Sequence, residues 1–266
     1  MAKEVNHELR AAKAWPVLAT AAAGRRTITY GDLAKAIGIH HRPLRYVLGL
    51  VQDYCLEEGL PPLTILVVHG SGNREPGDGF IAWHAGLEQG RETVYSHDWS
   101  TGANPFGYAL DGATQADLAQ RLVDDPSRAA EVYRLVKVRG VRQAIFREAL
   151  LTSYEGSCAF CGLTFQEALD AAHIHGWADC DPQDQVNPRN GILLCSNHHR
   201  MFDCGNLDIT PELTIEYADP ERNDGPYSSM DHLMSVSLHG KKMRLPKRRE
   251  LRPDPAFIAA RRATSE

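Results

Sequence analysis

The sequence predicts an α+β protein of two domains, and three observations carry that prediction. Apolar residues recur at helical spacing in several segments, short β-prone runs fall between those segments, and a glycine-rich stretch at 86–112 lacks periodicity. We place the domains at residues 1–112 and 113–266. A length of 266 residues allows this, since each part is long enough to bury its own core. With 43% hydrophobic and 24% charged residues, the composition excludes collagen-like, fully disordered and disulfide-scaffold proteins.

In the N-terminal part, residues 4–22 read as an Ala-rich helix broken or kinked at Pro16 and stopped by Gly24. Thr27 to Tyr30 is a short β-prone run. A helix over Leu33–Ile37 follows and ends at Gly38, and a second helix runs from Pro43, which suits a first turn, to Leu56. After Pro61-Pro62 the run Leu63 to Val68 reads as a buried strand. Gly70 to Gly79 reads as a turn-rich loop, and Phe80 to Trp83 as a further strand. Helix, helix, strand, glycine loop and strand is the layout of a winged-helix module. Residues 86–112 read as a connector holding the domain boundary.

Two helices follow, one capped at Thr114 and carrying Leu118 and Leu122, the other running from Ser127 to Val138. A third, Val141 to Leu151, leads into the chemistry.

Six cysteines are too few for a disulfide framework, and four lie between Cys158 and Cys195. Cys158-x-x-Cys161 and Cys195-x-x-His198 form two ligand pairs, 34 positions apart from Cys161 to Cys195. Each pair fits a knuckle turn with both ligands facing one ion, which suits a closed tetrahedral structural zinc. Cys180, in an acidic loop, and Cys204 read as bystanders.

Between and beyond these pairs lie a β-prone run ending in His173, a loop with Asn190 and a helix with His199. Strand with His, loop with Asn and helix with His is the order a ββα-metal nuclease site requires. Phosphodiester hydrolysis needs a base to activate water and a divalent ion to hold phosphate and leaving oxygens. A histidine titrating near neutrality can supply the base.

The strings FREALLTSYEGSCAFCG, LDAAHIHGW, NPRNGILLCSNHH and HHRMFDCGNLDI resemble the His-Asn-His (HNH) endonuclease family over about residues 141–210, in the branch found in bacterial restriction and anti-phage nucleases. The resemblance implies His173 as general base, Asn190 as the brace that orients it and His199 as a ligand of the catalytic ion. Many members of the family place Asp or His just before the base as a second ligand, where this chain has Ala172. Asp203 lies four residues after His199 on the same helical face and is our first choice for that carboxylate. Asp170, two residues from Ala172 on one strand face, is the other. Mg or Mn suits phosphate work, with Zn or Ni open as well. His175 is given no catalytic role.

The segment Thr27 to Ile81 is similar, more weakly, to the winged helix of alkylguanine-DNA alkyltransferases. The similarity rests on Thr29-Tyr30-Gly31-Asp32-Leu33-Ala34, Gly38, Pro43, Arg45, Pro61-Pro62-Leu63 and Gly77-Asp78-Gly79-Phe80. That family's acceptor cysteine is missing, since the strand ends Val67-Val68-His69-Gly70, so alkyl transfer is not expected. The resemblance implies duplex binding through the Pro43–Leu56 helix, with Tyr30 and Arg45 as the residues that disturb or replace a stacked base.

A formal charge of −5 argues against a general coat of positive charge, but the distribution differs from the mean. Lys241, Lys242, Arg244, Lys247, Arg248, Arg249 and Arg252 against Glu250 give +6 over residues 241–252, leaving −11 elsewhere. Such a cluster can neutralise phosphates. A second stripe, Arg134, Lys137, Arg139, Arg142 and Arg147, leads into the nuclease segment.

The reading is therefore a DNA endonuclease acting on double-stranded DNA, of restriction or defence type, with sensing of modified bases as its most specific form. Two rivals stand beside it. One is a non-cutting zinc-containing DNA-binding protein, and the other a nuclease effector switched by a partner or small signal through residues 1–112. Cutting both strands at a symmetric site would call for a homodimer. Ala14 to Ala23 is too short to span a bilayer and makes a poor signal peptide, so a cytoplasmic location and no membrane partner are expected.

Overall fold

The structure, a computed structural model, describes residues 5–70, 75–77 and 86–264. It divides into two compact units, one of residues 1–114 and 135–141, the other of residues 115–134 and 142–266.

In the first unit, helix α1 (His7–Ala23) starts where the Asn6 side chain accepts a hydrogen bond from Leu9 N at 2.7 Å. Of the break or kink expected at Pro16, there is no break, and the helix runs on through Pro16. Its small, buried residues Ala11, Ala14, Ala21 and Ala22 let neighbouring elements approach closely, and Trp15 meets Tyr54, Trp99 and Phe106 edge-on. Strand β1 is only Ile28–Thr29, and Tyr30, expected to end a strand, opens helix α2 (Tyr30–Ala36). The reason is local: Thr29 caps α2 by accepting from Asp32 N at 3.1 Å. Helix α3 spans Leu44–Glu57 and buries Leu44, Val47, Leu48, Val51 and Cys55.

Two expectations for this unit are corrected. Leu63–Leu66 form a buried 3-10 turn rather than a strand, closed by Ile65 N donating to Pro62 O at 2.9 Å. An unbroken apolar run has no period to separate the two forms. Only Val67–Val68 (β2) is extended, paired in parallel with β1. Residues 86–112 are not a bare connector, because they hold helix α4 (Leu87–Ser96) and bury Val94, Trp99 and Phe106. Core packing supplied order that the polar, glycine-rich sequence concealed. The expected strand Phe80–Trp83 lies outside the described residues.

Helices α5 (Gln115–Asp124), α6 (Ala129–Leu135) and α7 (Arg139–Ser153) come next. In α7 the residues Ile145, Phe146, Ala149 and Leu150 recur at helical spacing and are buried. Of these, Phe146 and Leu150 share one core with the hairpin of β3 (Leu169–His173) and β4 (Gly191–Cys195), which pairs antiparallel with His173 opposite Gly191 and Leu169 opposite Cys195. Helix α8 (Ser196–Asp203) follows β4 directly. The unit closes with the antiparallel pair β5 (Leu207–Ile209) and β6 (Ile215–Tyr217), then helices α9 (Ser229–Met234) and α10 (Pro255–Thr264).

Candidate active site and metal centre

The two ligand pairs meet. Cys158, Cys161, Cys195 and His198 offer ligand atoms that all lie within 4.8 Å of one another. Cys158 Sγ is 3.5 Å and Cys195 Sγ 3.2 Å from His198 Nδ1, with 4.0 Å between Cys161 Sγ and Cys195 Sγ. Tetrahedral zinc, with bonds of roughly 2.0–2.3 Å, sets its ligands about 3.5–3.8 Å apart, so the four atoms fit that ion. His198 Nε2 donates to Met234 O at 3.0 Å, so Nδ1 is the nitrogen that faces the thiols and would bind a cation that displaces its proton.

The first knuckle closes at Gly162, whose φ of +77° is open to glycine at little cost. A Cβ there would lie 2.7 Å from the Arg244 guanidinium, which packs on the turn. Electrostatics favour a cation in this pocket. Hydrogen bonds from Cys161 and Cys195 hold the Cys158 thiol far below the ordinary range, while the bond to Cys158 pushes Cys195 up. Burial opposes a charge on His198, but the Cys158 and Cys161 thiols outweigh it and raise the ring to about 9. A divalent cation takes the place of these shared protons. Cys180 and Cys204 stand outside the cluster.

His173 ends β3 with its ring stacked on Phe146, centroids 4.0 Å apart at 16°, and Trp177 edge-on at 5.4 Å. Its Nε2 lies 3.0 Å from Gln185 O. A carbonyl only accepts, so Nε2 carries the proton and Nδ1 keeps the lone pair a base needs. Burial lowers the His173 pKa to about 4, with a smaller lowering contribution from His199. Asn190 is fully buried. Its Oδ1 accepts from His175 N at 2.9 Å, and its Nδ2 donates to His175 O at 3.1 Å and Asp184 O at 3.2 Å.

His199 stands on α8 between two carboxylates, with Nε2 3.4 Å from Asp203 Oδ2 and Nδ1 3.7 Å from Asp170 Oδ2. One cation can share one ring nitrogen with one of these carboxylates, leaving the other beside the remaining N–H. The residues present therefore fit a small divalent ion at either nitrogen. Ala172 is fully buried.

Several contributors were not visible in the sequence. Phe146 and the Gln185 carbonyl act on His173 through tertiary contact alone. Arg261 of α10 donates to Asp208 at 2.8 Å, to Phe202 O at 2.5 Å and to Ile174 O at 3.5 Å. It thereby ties the residue after His173 to the residue before Asp203.

The basic residues are exposed but partly engaged. Lys242 Nζ donates to Glu212 O at 2.6 Å, Lys247 pairs with Glu155 at 2.5 Å, and Arg248 donates to Asp124 O at 3.0 Å. Lys241 and Arg249 are exposed on the same segment. In the second stripe, Arg147 holds Leu169 O and Gln166 O, and Arg142 lies over the Tyr133 ring at 4.0 Å. Arg147 is thus a brace for β3. In the first unit, Tyr30 Oη accepts from Gly77 N at 2.9 Å, and Arg45 is exposed with its guanidinium 2.6 Å from Tyr46 Oη.

Residues 158–209 match the model of the HNH endonuclease family. The matched segment runs from Cys158 through β3, β4 and α8 to β5, which is the part that carries His173, Asn190 and His199. It supports a nuclease, metal-dependent as such enzymes are, with DNA as the implied substrate. No curated protein matches the chain. Among the described residues, no helix is long and apolar enough to cross a membrane.

Proposed function

We propose that the chain is a DNA endonuclease that hydrolyses phosphodiester bonds with His173 as general base. The observation that carries this reading is the fixed tautomer of His173, whose Nε2–H is held by Gln185 O while Nδ1 stays unprotonated near neutral pH. Nδ1 takes the proton of the attacking water, and Asn190 keeps the loop that supplies the Gln185 carbonyl in place. His199 with Asp203, our first choice, or with Asp170 holds the catalytic ion, Mg or Mn by preference. That ion, when bound, supplies the positive charge that stabilises phosphate and leaving oxygens. The zinc cluster braces β4 and α8, so that His199 is presented from a rigid helix start.

We assign the enzyme to restriction or defence on double-stranded DNA. The first unit serves as a winged-helix-like reader that selects modified bases, and Tyr30 and Arg45 are its contact residues. The exposed Lys241, Lys242, Arg244, Lys247, Arg248 and Arg249 neutralise phosphates, and a homodimer in the cytoplasm would cut both strands.

The test is plasmid cleavage by the purified protein with Mg or Mn, on unmodified DNA and on DNA carrying modified bases. Metal-dependent nicking that disappears in His173→Ala supports the reading. Absence of cutting on every substrate favours the non-cutting zinc protein or the partner-switched effector instead, and unchanged cutting in His173→Ala overturns His173 as the base.

A further inference from the structure

The first unit contains a cavity of about 360 Å³ lined by α2, the loop that follows it, α3, the 3-10 turn and His69. That volume lies in the range, roughly 300–1,000 Å³, that accommodates a small organic molecule. Its walls are of three kinds. Leu44, Leu48 and Gly49 are apolar, and the Tyr30 and His69 rings, 5.3 Å apart, add flat surface. Gln52 and Thr64 are buried polar groups, with Thr64 Oγ1 3.4 Å from Gln52 Oε1. His41, Arg42 and Arg45 are exposed at the opening. Among the described residues, Arg42 and Arg45 form no ion pair with a carboxylate, and the contacts of Arg45 are with Tyr46 alone, through Oη and over the ring at 4.6 Å.

We propose that this cavity binds a nucleotide, with its planar ring inside and its phosphate on Arg42 and Arg45. Flat apolar and aromatic walls take the faces of a heterocycle, and an amide with a neighbouring hydroxyl offers both donor and acceptor to its edge. Guanidinium groups without a carboxylate partner match the oxygens of a phosphate. An aliphatic or purely anionic ligand would use only one of these sets. The nucleotide comes from one of two sources: one turned out of a duplex, which rests on the reading of this unit as a DNA reader, or a free nucleotide acting as a signal.

Gly49 supplies the test, because a Cβ added there meets nothing within 4 Å. Gly49→Leu therefore has room for its Cβ on this wall and is chosen to fill the cavity. The full chain carrying His173→Ala, so that DNA stays intact, is titrated with a duplex containing 2-aminopurine opposite a mismatched cytosine. Separately, it is titrated with free nucleoside monophosphates in a calorimeter. A several-fold rise in 2-aminopurine fluorescence identifies the duplex as the source, and binding heat with the monophosphate identifies the free nucleotide. In either arm the signal should weaken at least about tenfold in Gly49→Leu and in Arg42→Ala. No signal in both arms, or signals unchanged in Gly49→Leu, overturns the proposal. Failure of the nuclease reading registers separately, as loss of metal-dependent plasmid cutting in the protein with His173 intact.

Discussion

Asn190 and His173 are fastened to neighbouring carbonyls, Asn190 Nδ2 to Asp184 O at 3.2 Å and His173 Nε2 to Gln185 O at 3.0 Å. The amide therefore fixes the stretch of chain that fixes the imidazole. Asn190→Asp keeps the shape and the acceptor for His175 N but removes both N–H donors, leaving two carbonyls short of a partner. At about 1–3 kcal/mol for each buried group left unsatisfied, the variant should unfold at clearly lower denaturant. Its cleavage rate should also fall although His173 is untouched. Chemical denaturation read beside a cleavage assay checks both, and wild-type stability in Asn190→Asp would remove Asn190 as the brace.

The buried position of His173 gives a pH signature. Burial lowers its pKa to about 4 from the ordinary 6.5. Between those values the unfolded chain binds a proton that the folded chain refuses, so stability rises with pH across that window. This group's contribution is complete above 6.5 and is lost as pH falls toward 4. The His173 ring resonance should stay in its neutral form well below pH 6 in an NMR titration. Phe146→Ala, which uncovers the ring, should move the midpoint back toward 6.5. A midpoint near 6.5 in the unmodified protein would contradict the burial argument.

The metal cluster predicts one zinc per chain, measured by elemental analysis, and its loss in Cys158→Ser or Cys195→Ser. Cys180→Ser and Cys204→Ser should retain it. Structural zinc sites contribute binding free energy directly to folding, on the order of 10 kcal/mol in small domains. A strong chelator should therefore lower the melting temperature sharply, with recovery on adding zinc back.

Gly191 sits opposite His173 in the hairpin, and a Cβ on it would lie 2.5 Å from Phe146 Cζ and 2.7 Å from Leu150 Cδ1. Gly191→Ala must push Phe146 off the His173 ring, at an overpacking cost of about 1–3 kcal/mol. Loss of the ring-current shift on His173, together with reduced cleavage, is the expected result. Phe146→Leu should restore part of the stability in the Gly191→Ala background by giving up volume at the clash.

These contacts mark the limit of what the sequence discloses. Cys158, Cys161, Cys195 and His198 were legible because a knuckle holds each pair within one turn, so spacing alone encodes the geometry. The order of His173, Asn190 and His199 was legible for a similar reason, each residue being tied to a recognisable local element. Gln185 was not, because its contribution is a backbone carbonyl, which every residue type has. Arg261 was hidden by distance, reaching Phe202 and Ile174 from the far end of the chain. In the first unit, Leu63 to Val68 misled because full burial erases the alternation that separates strand from turn. Helix α4 was hidden among glycines for the opposite reason, since only Gly90 and Val94 of its ten residues are buried.

The two carboxylates beside His199 make distinct predictions. Asp203 Oδ2 lies 3.4 Å from Nε2 and shares the rigid helix α8, whereas Asp170 Oδ2 is 3.7 Å from Nδ1 and belongs to β3. A ligand on the same helix, four residues on, holds its separation from His199 without relying on how strand and helix pack. Asp203→Asn should therefore raise the Mg or Mn concentration needed for half-maximal cleavage strongly, by about 10–100-fold. Asp170→Asn, which would disturb only the partner of the other ring nitrogen, should fall at or below the lower end of that range. Zinc content and melting temperature should stay at wild-type values in both variants, since neither touches the cysteine cluster. The reverse ranking would move the ion to Nδ1 and make Asp170 its carboxylate ligand.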